Sequence, residues 1–138
     1  MRRLATMPAL GALLLTIPAV PGLAQERSTV SFAPGDFGTM VSGTITGEEY
    51  HDYVVGASAG QEMFVELTVT GSDGAGTAFF NVLPPGSDDV AIYNSAGLGN
   101  STTVQLPESG DYTIRVYQLG DDADTDKTKG FNIDLSIQ

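Results

Sequence analysis

The sequence predicts an all-β protein: one antiparallel β-sandwich, jelly-roll-like, with about nine strands in a single domain. Three observations predict it. Apolar and polar residues alternate with a period of two through most of the chain beyond Ala24. Turn signals built from Gly, Pro, Asn and Asp recur at intervals of roughly ten residues. No stretch beyond Ala24 carries the apolar spacing of an amphipathic helix.

The elements follow in order. "STVSF" puts Val30 and Phe32 on one face and ends at Pro34-Gly35-Asp36. "TMVSGTIT" runs to the turn Gly47-Glu48-Glu49, and Gly43 within it marks a bulge or a close approach. "YHDYVVGA" turns Tyr53, Val55 and Ala57 inward. "QEMFVELTVT" is the clearest strand, with Met63, Val65, Leu67 and Val69 on the apolar face. After a glycine-rich loop come "AFFNVL", stopped by Pro84-Pro85-Gly86, and two shorter candidates, "DVAIY" and "TTVQL", separated by a loop over Asn94 to Asn100. "DYTIRVYQL" points Tyr112, Ile114 and Val116 one way and Thr113, Arg115 and Tyr117 the other. "FNIDLSI" closes the chain with Phe131, Ile133, Leu135 and Ile137 in register. The run "LPESGDY" predicts a tyrosine corner, in which the Tyr112 hydroxyl bonds backbone just upstream and pins the turn.

Met1 to Ala24 is expected to be a cleaved signal peptide. Arg2 and Arg3 precede the apolar "ALGALLLTIPAV", and Gly22 and Ala24 are small residues suited to a cut before Gln25. No cysteine is available for lipidation and no second apolar run of membrane length follows, so an unanchored periplasmic or secreted domain over 25–138 is expected. Removing 24 residues of 138 leaves 114, enough for one core. The formal charge moves from −11 to −13, because both lost charges are basic (4 basic against 17 acidic remain). Such a chain repels nucleic acid and attracts cationic partners. With no cysteine, thiol catalysis, thiolate metal sites and disulfide staples are all excluded.

Catalytic signals are absent. The single histidine, His51, lies between Glu49 and Asp52 with no nucleophile elbow, and is expected on the surface. An enzyme is not expected. Asp122, Asp124 and Asp126 match the opening of a calcium loop, but Lys127 replaces the turn glycine and Ile133 the closing glutamate. An EF-hand is thereby rejected and a looser calcium-binding turn left open, with no other cofactor expected. The alternative is a solvated acidic loop offset by Lys127 and Lys129. Tyr50, Tyr53, Tyr93 and Tyr117 are read as ordinary sandwich tyrosines rather than a sugar-stacking face.

Three patches resemble the periplasmic inhibitors of g-type lysozyme, within the wider pre-peptidase C-terminal-like group. They are "SGTITGEEYHDYVVGASAGQ", with Ser42, Gly43, Ile45, Gly47, Tyr50, Tyr53 and Gly60; "LPESGDYTIRVYQ"; and "DDADTDKTKGFNIDLSI". The resemblance implies a sandwich that blocks a lysozyme groove with surface loops and so protects peptidoglycan. Glu48, Tyr50, Asp121, Asp122 and Asp124 are then the expected lysozyme-facing residues, with Tyr112, Arg115, Gly43 and Gly47 structural. The resemblance also implies arginines where this chain has Gly120 and Asp124, and a tyrosine where it has Glu48. The expected partner is g-type lysozyme or another cationic exported protein. A different class stays open: a pre-peptidase-like module binding wall carbohydrate or protein, with or without calcium.

Overall fold

The computed structural model describes residues 25–74 and 76–138, so the expected signal peptide lies outside the described residues. Nine strands form: β1 (Gln25–Thr29), β2 (Gly38–Thr46), β3 (Tyr50–Ala57), β4 (Glu62–Ser72), β5 (Ala78–Leu83), β6 (Tyr93–Asn94), β7 (Ser101–Gln105), β8 (Gly110–Gln118) and β9 (Thr128–Ile137). One-turn helices α1 (Ser95–Leu98) and α2 (Asp121–Asp124) occupy two of the loops. One sheet has the order β1-β3-β8-β5-β6 and the other β2-β9-β4-β7. Apart from the β5–β6 hairpin, each strand from β2 onward crosses to the opposite sheet, which is the winding of a jelly roll.

The alternation read from sequence sets the core. Tyr53, Val55, Phe80, Val82, Tyr112, Ile114 and Val116 from the first sheet face Ile45, Met63, Val65, Leu67, Phe131, Ile133 and Leu135 from the second, all buried. Register keeps them in phase: Val55 pairs Tyr112, Val82 pairs Ile114, and Leu67 pairs Ile133. Gly43 lies opposite Phe131 in regular register, so it is a close-approach glycine rather than a bulge. A Cβ there would lie 2.7 Å from the Tyr53 hydroxyl and 2.9 Å from Phe131 Cζ. The bulge falls instead between Val69 and Gly71. The tyrosine corner forms as expected: the buried Tyr112 hydroxyl donates to the Glu108 carbonyl at 2.6 Å and accepts from its N–H at 3.0 Å.

Four expectations change. The first strand covers Gln25–Thr29 rather than "STVSF", and it runs parallel to β3 while every other described pairing is antiparallel. Parallel hydrogen bonding to β3 decides this, ending with the Val30 N–H on the Val54 carbonyl. "DVAIY" yields only Tyr93–Asn94, because the Ser87 hydroxyl bonds both the N–H and the carbonyl of Val90, closing a turn that competes with a ladder. The loop over Asn94 to Asn100 contains α1, capped by the Asn94 side chain on the Ala96 N–H. His51 is buried, not on the surface. It stacks on Tyr53 at 4.1 Å between centroids and bonds the Ser28 hydroxyl through Nε2 at 3.0 Å. Burial holds its pKa below the usual value, against the opposing pull of Glu26 and Asp52. The same burial, with Glu26 nearby, pushes the Tyr53 phenol up to about 12.

Candidate functional site

Two segments about seventy residues apart meet at one end of the sandwich, and strand pairing brings them there. The antiparallel β2–β9 ladder ends with Thr46 opposite Thr128, and the β3–β8 ladder begins with His51 opposite Val116. The turn between β2 and β3 therefore lies beside both ends of the β8–β9 loop. Gly47, with φ of 60°, makes that turn; its N–H donates to the Lys127 carbonyl at 2.9 Å. A side chain on Gly47 would collide with Asp126 Oδ1 at 2.6 Å. Gln118, at the end of β8, donates from Nε2 to the Lys127 carbonyl at 2.7 Å and reaches the Gly47 carbonyl at 3.4 Å. One buried amide thus ties both loops together.

Against these loops the outer face of the first sheet forms a groove of about 440 Å³. Glu48, Tyr50, Asn81, Arg115, Tyr117 and Asp124 supply most of its polar lining, with Leu119 and Ala123 as apolar wall. Arg115 is held within it by three hydrogen bonds and a stacked ring. Nε and Nη2 make a bidentate pair with Asp52 at 2.8 and 2.9 Å, Nη1 donates to the Asp88 carbonyl at 2.9 Å, and the guanidinium lies 4.2 Å over the Tyr50 ring. The hydrogen bonds to Asp52 raise the Arg115 pKa above its ordinary value despite burial. Arg115 therefore sets the Tyr50 ring and shapes the wall. Tyr117 donates its hydroxyl to Asn81 Oδ1 at 2.9 Å, and burial raises its pKa.

The sequence-expected residues divide. Glu48, Tyr50 and Asp124 come together on the groove, with Gly120. Asp121 is exposed on the first turn of α2 and does not line it. Asp122 turns inward, where its Oδ2 accepts from Lys129 Nζ at 2.7 Å and from the Gly76 N–H. The Lys129 hydrogen bond, aided by Gly76, holds the Asp122 pKa below the ordinary carboxylate value. Lys129 is wholly buried, which corrects the alternative reading of it as part of a solvated loop. The reason is register: Lys129 shares the inward face of β9 with Phe131, opposite Ile45. Its Nζ also donates to the Asp73 carbonyl, so the pair pins the β4–β5 connection to the β8–β9 loop. Asp124 and Asp126 are exposed while Asp122 is engaged, and among the described residues no group of three or more His, Cys, Asp or Glu is placed to hold a metal. Sequence reasoning missed Gln118, Asn81, Asp52 and Leu119. Periodicity predicts that Arg115 and Tyr117 point outward, but carries no record of what they face.

No family model matches the chain. It is 33% identical over 128 residues to the inhibitor of g-type lysozyme of Escherichia coli K12, a match spanning 91% of this chain and 92% of that protein. Among solved structures it is similar to the periplasmic g-type lysozyme inhibitor of Aeromonas hydrophila, with 32% identity and a TM-score of 0.71 over 83% of this chain and 100% of the other. The pre-peptidase C-terminal domain of a Bacillus anthracis collagenase shares the fold alone, at 13% identity and a TM-score of 0.53 over 85% of this chain and 97% of the other. With that much identity across nearly its whole length, and with the same sandwich, the chain belongs to the family of g-type lysozyme inhibitors, which are binding proteins rather than enzymes.

Proposed function

We propose that this protein is exported through its N-terminal segment and inhibits a g-type lysozyme in the periplasm, protecting peptidoglycan. The contact face is the groove rim made by Glu48, Tyr50 and the Gly120–Asp124 segment. One observation supports the reading best: the two loops that the family resemblance singles out converge on the walls of a single groove and are tied by Gln118. The net negative charge speeds encounter with a cationic enzyme and is screened by salt. The test is residual g-type lysozyme activity on peptidoglycan with increasing amounts of the protein from Gln25 to Gln138 at low salt. Dose-dependent loss is expected; no loss overturns the proposal.

Tyr50 and Tyr117 on one groove also fit a module that stacks on wall sugar. Arg115 already covers a face of the Tyr50 ring, which weighs against that alternative. Saturable binding of soluble peptidoglycan fragments, unaffected by salt, would establish it instead.

A further inference from the structure

The groove's chemistry is opposite in sign to what the resemblance implies. Arginines at the positions of Gly120 and Asp124 would reach out toward an enzyme's acid, but here the groove margin carries the exposed carboxylates of Glu48 and Asp124. Arg115, the basic residue among its lining, pairs its charge with Asp52 and donates from Nη1 to the Asp88 carbonyl. Neither Lys127 nor Lys129 lines the groove. Two carboxylates and the Tyr117 ring, with Leu119 and Ala123 as apolar wall, together suit one kind of occupant. It is cationic, rich in N–H donors, and able to lie against an aromatic wall.

We infer that the groove receives a basic side chain of the partner enzyme, an arginine before a lysine, so that the inhibitor accepts a cation instead of inserting one. This deepens the lysozyme-binding reading and rests on it for the partner's identity. The carboxylates pair with the guanidinium at the rim, while the aromatic and apolar walls exclude water from its planar faces. A bulky arginine at position 124 would fill the groove and repel that occupant.

Two measurements keep the partner and the groove separate. In the first, the isotope-labelled protein is titrated with a blocked Gly-Arg-Gly tripeptide and followed by NMR. Saturable shifts confined to Glu48, Tyr50, Tyr117, Gln118 and Asp124, absent in Glu48→Gln/Asp124→Asn, are expected. Shifts scattered over the acidic surface, or none, overturn the inference even if lysozyme binds. In the second, lysozyme affinity is compared across variants. Glu48→Gln/Asp124→Asn should weaken binding about tenfold, since each rim pair contributes at most about a factor of five. Asp124→Arg should weaken it further. Glu62→Gln/Glu66→Gln, on β4 in the opposite sheet, removes the same charge and should change it less than about twofold, as long-range steering alone would. Tighter binding by Asp124→Arg, or equal losses from both charge-matched pairs, refutes the inference. If the unaltered protein binds no g-type lysozyme, the proposed function fails, and the tripeptide titration still decides the groove.

Discussion

Replacing Tyr112 with Phe removes one oxygen from the fold and leaves the buried ring in place. That oxygen makes two hydrogen bonds, donating to the Glu108 carbonyl at 2.6 Å and accepting from the Glu108 N–H at 3.0 Å. Glu108 is exposed, so water can take up both backbone groups once the hydroxyl is gone. The loss is then the net contribution of about one to two ordinary hydrogen bonds, roughly 1–2 kcal/mol, without a desolvation penalty for orphaned groups. For the 114 residues from Gln25 onward, an unfolding entropy of about 2.1 cal/mol/K per residue converts this into a fall in Tm of roughly 4–8 °C. Thermal unfolding followed by circular dichroism measures it. A urea titration should show a lower midpoint at unchanged slope. Tyr117→Phe is the control: its hydroxyl bonds only the half-exposed Asn81 side chain, and its loss should be under about 0.5 kcal/mol. An unmoved midpoint in Tyr112→Phe, or equal losses in both variants, would show that the corner does not hold the β7–β8 turn.

Three further outcomes are expected. Lys129→Met should lower the unfolding midpoint more than Tyr112→Phe does, because it strands the inward Asp122 carboxylate and frees the Asp73 carbonyl; adding Asp122→Asn should restore part of the loss, and no restoration would mean the pair is not the cause. Stability should fall as pH drops below about 6.5. His51 has a folded pKa below its unfolded one, so the unfolded chain takes up the proton first and the His51 contribution is lost on acidification. Urea midpoints at neutral and mildly acid pH, compared in His51→Gln, check this: the decline should flatten in the variant. Millimolar calcium should leave Tm unchanged, since Asp122 is held by Lys129 and Gly76; a rise in Tm would reveal a native-state calcium site.

Local sequence dictates the elements that alternation and turn chemistry control. The β3 and β5 strands, the inward set on β4 and β9 and the tyrosine corner at Tyr112 all follow from local spacing. It also determined the charge, and hence the class of partner the surface attracts. Tertiary pairing alone decided which residues share a surface. Glu48 and Asp124 meet because β2 pairs with β9 and β3 with β8, contacts separated by about eighty residues of chain that no local pattern encodes. Pairing with β2 likewise carries β9 back to Thr128, so that Lys129 joins the inward phase of Phe131 and Ile133 and meets Asp122. Local spacing dictates which way a side chain points from its own strand. Only the register between distant strands dictates what it meets there.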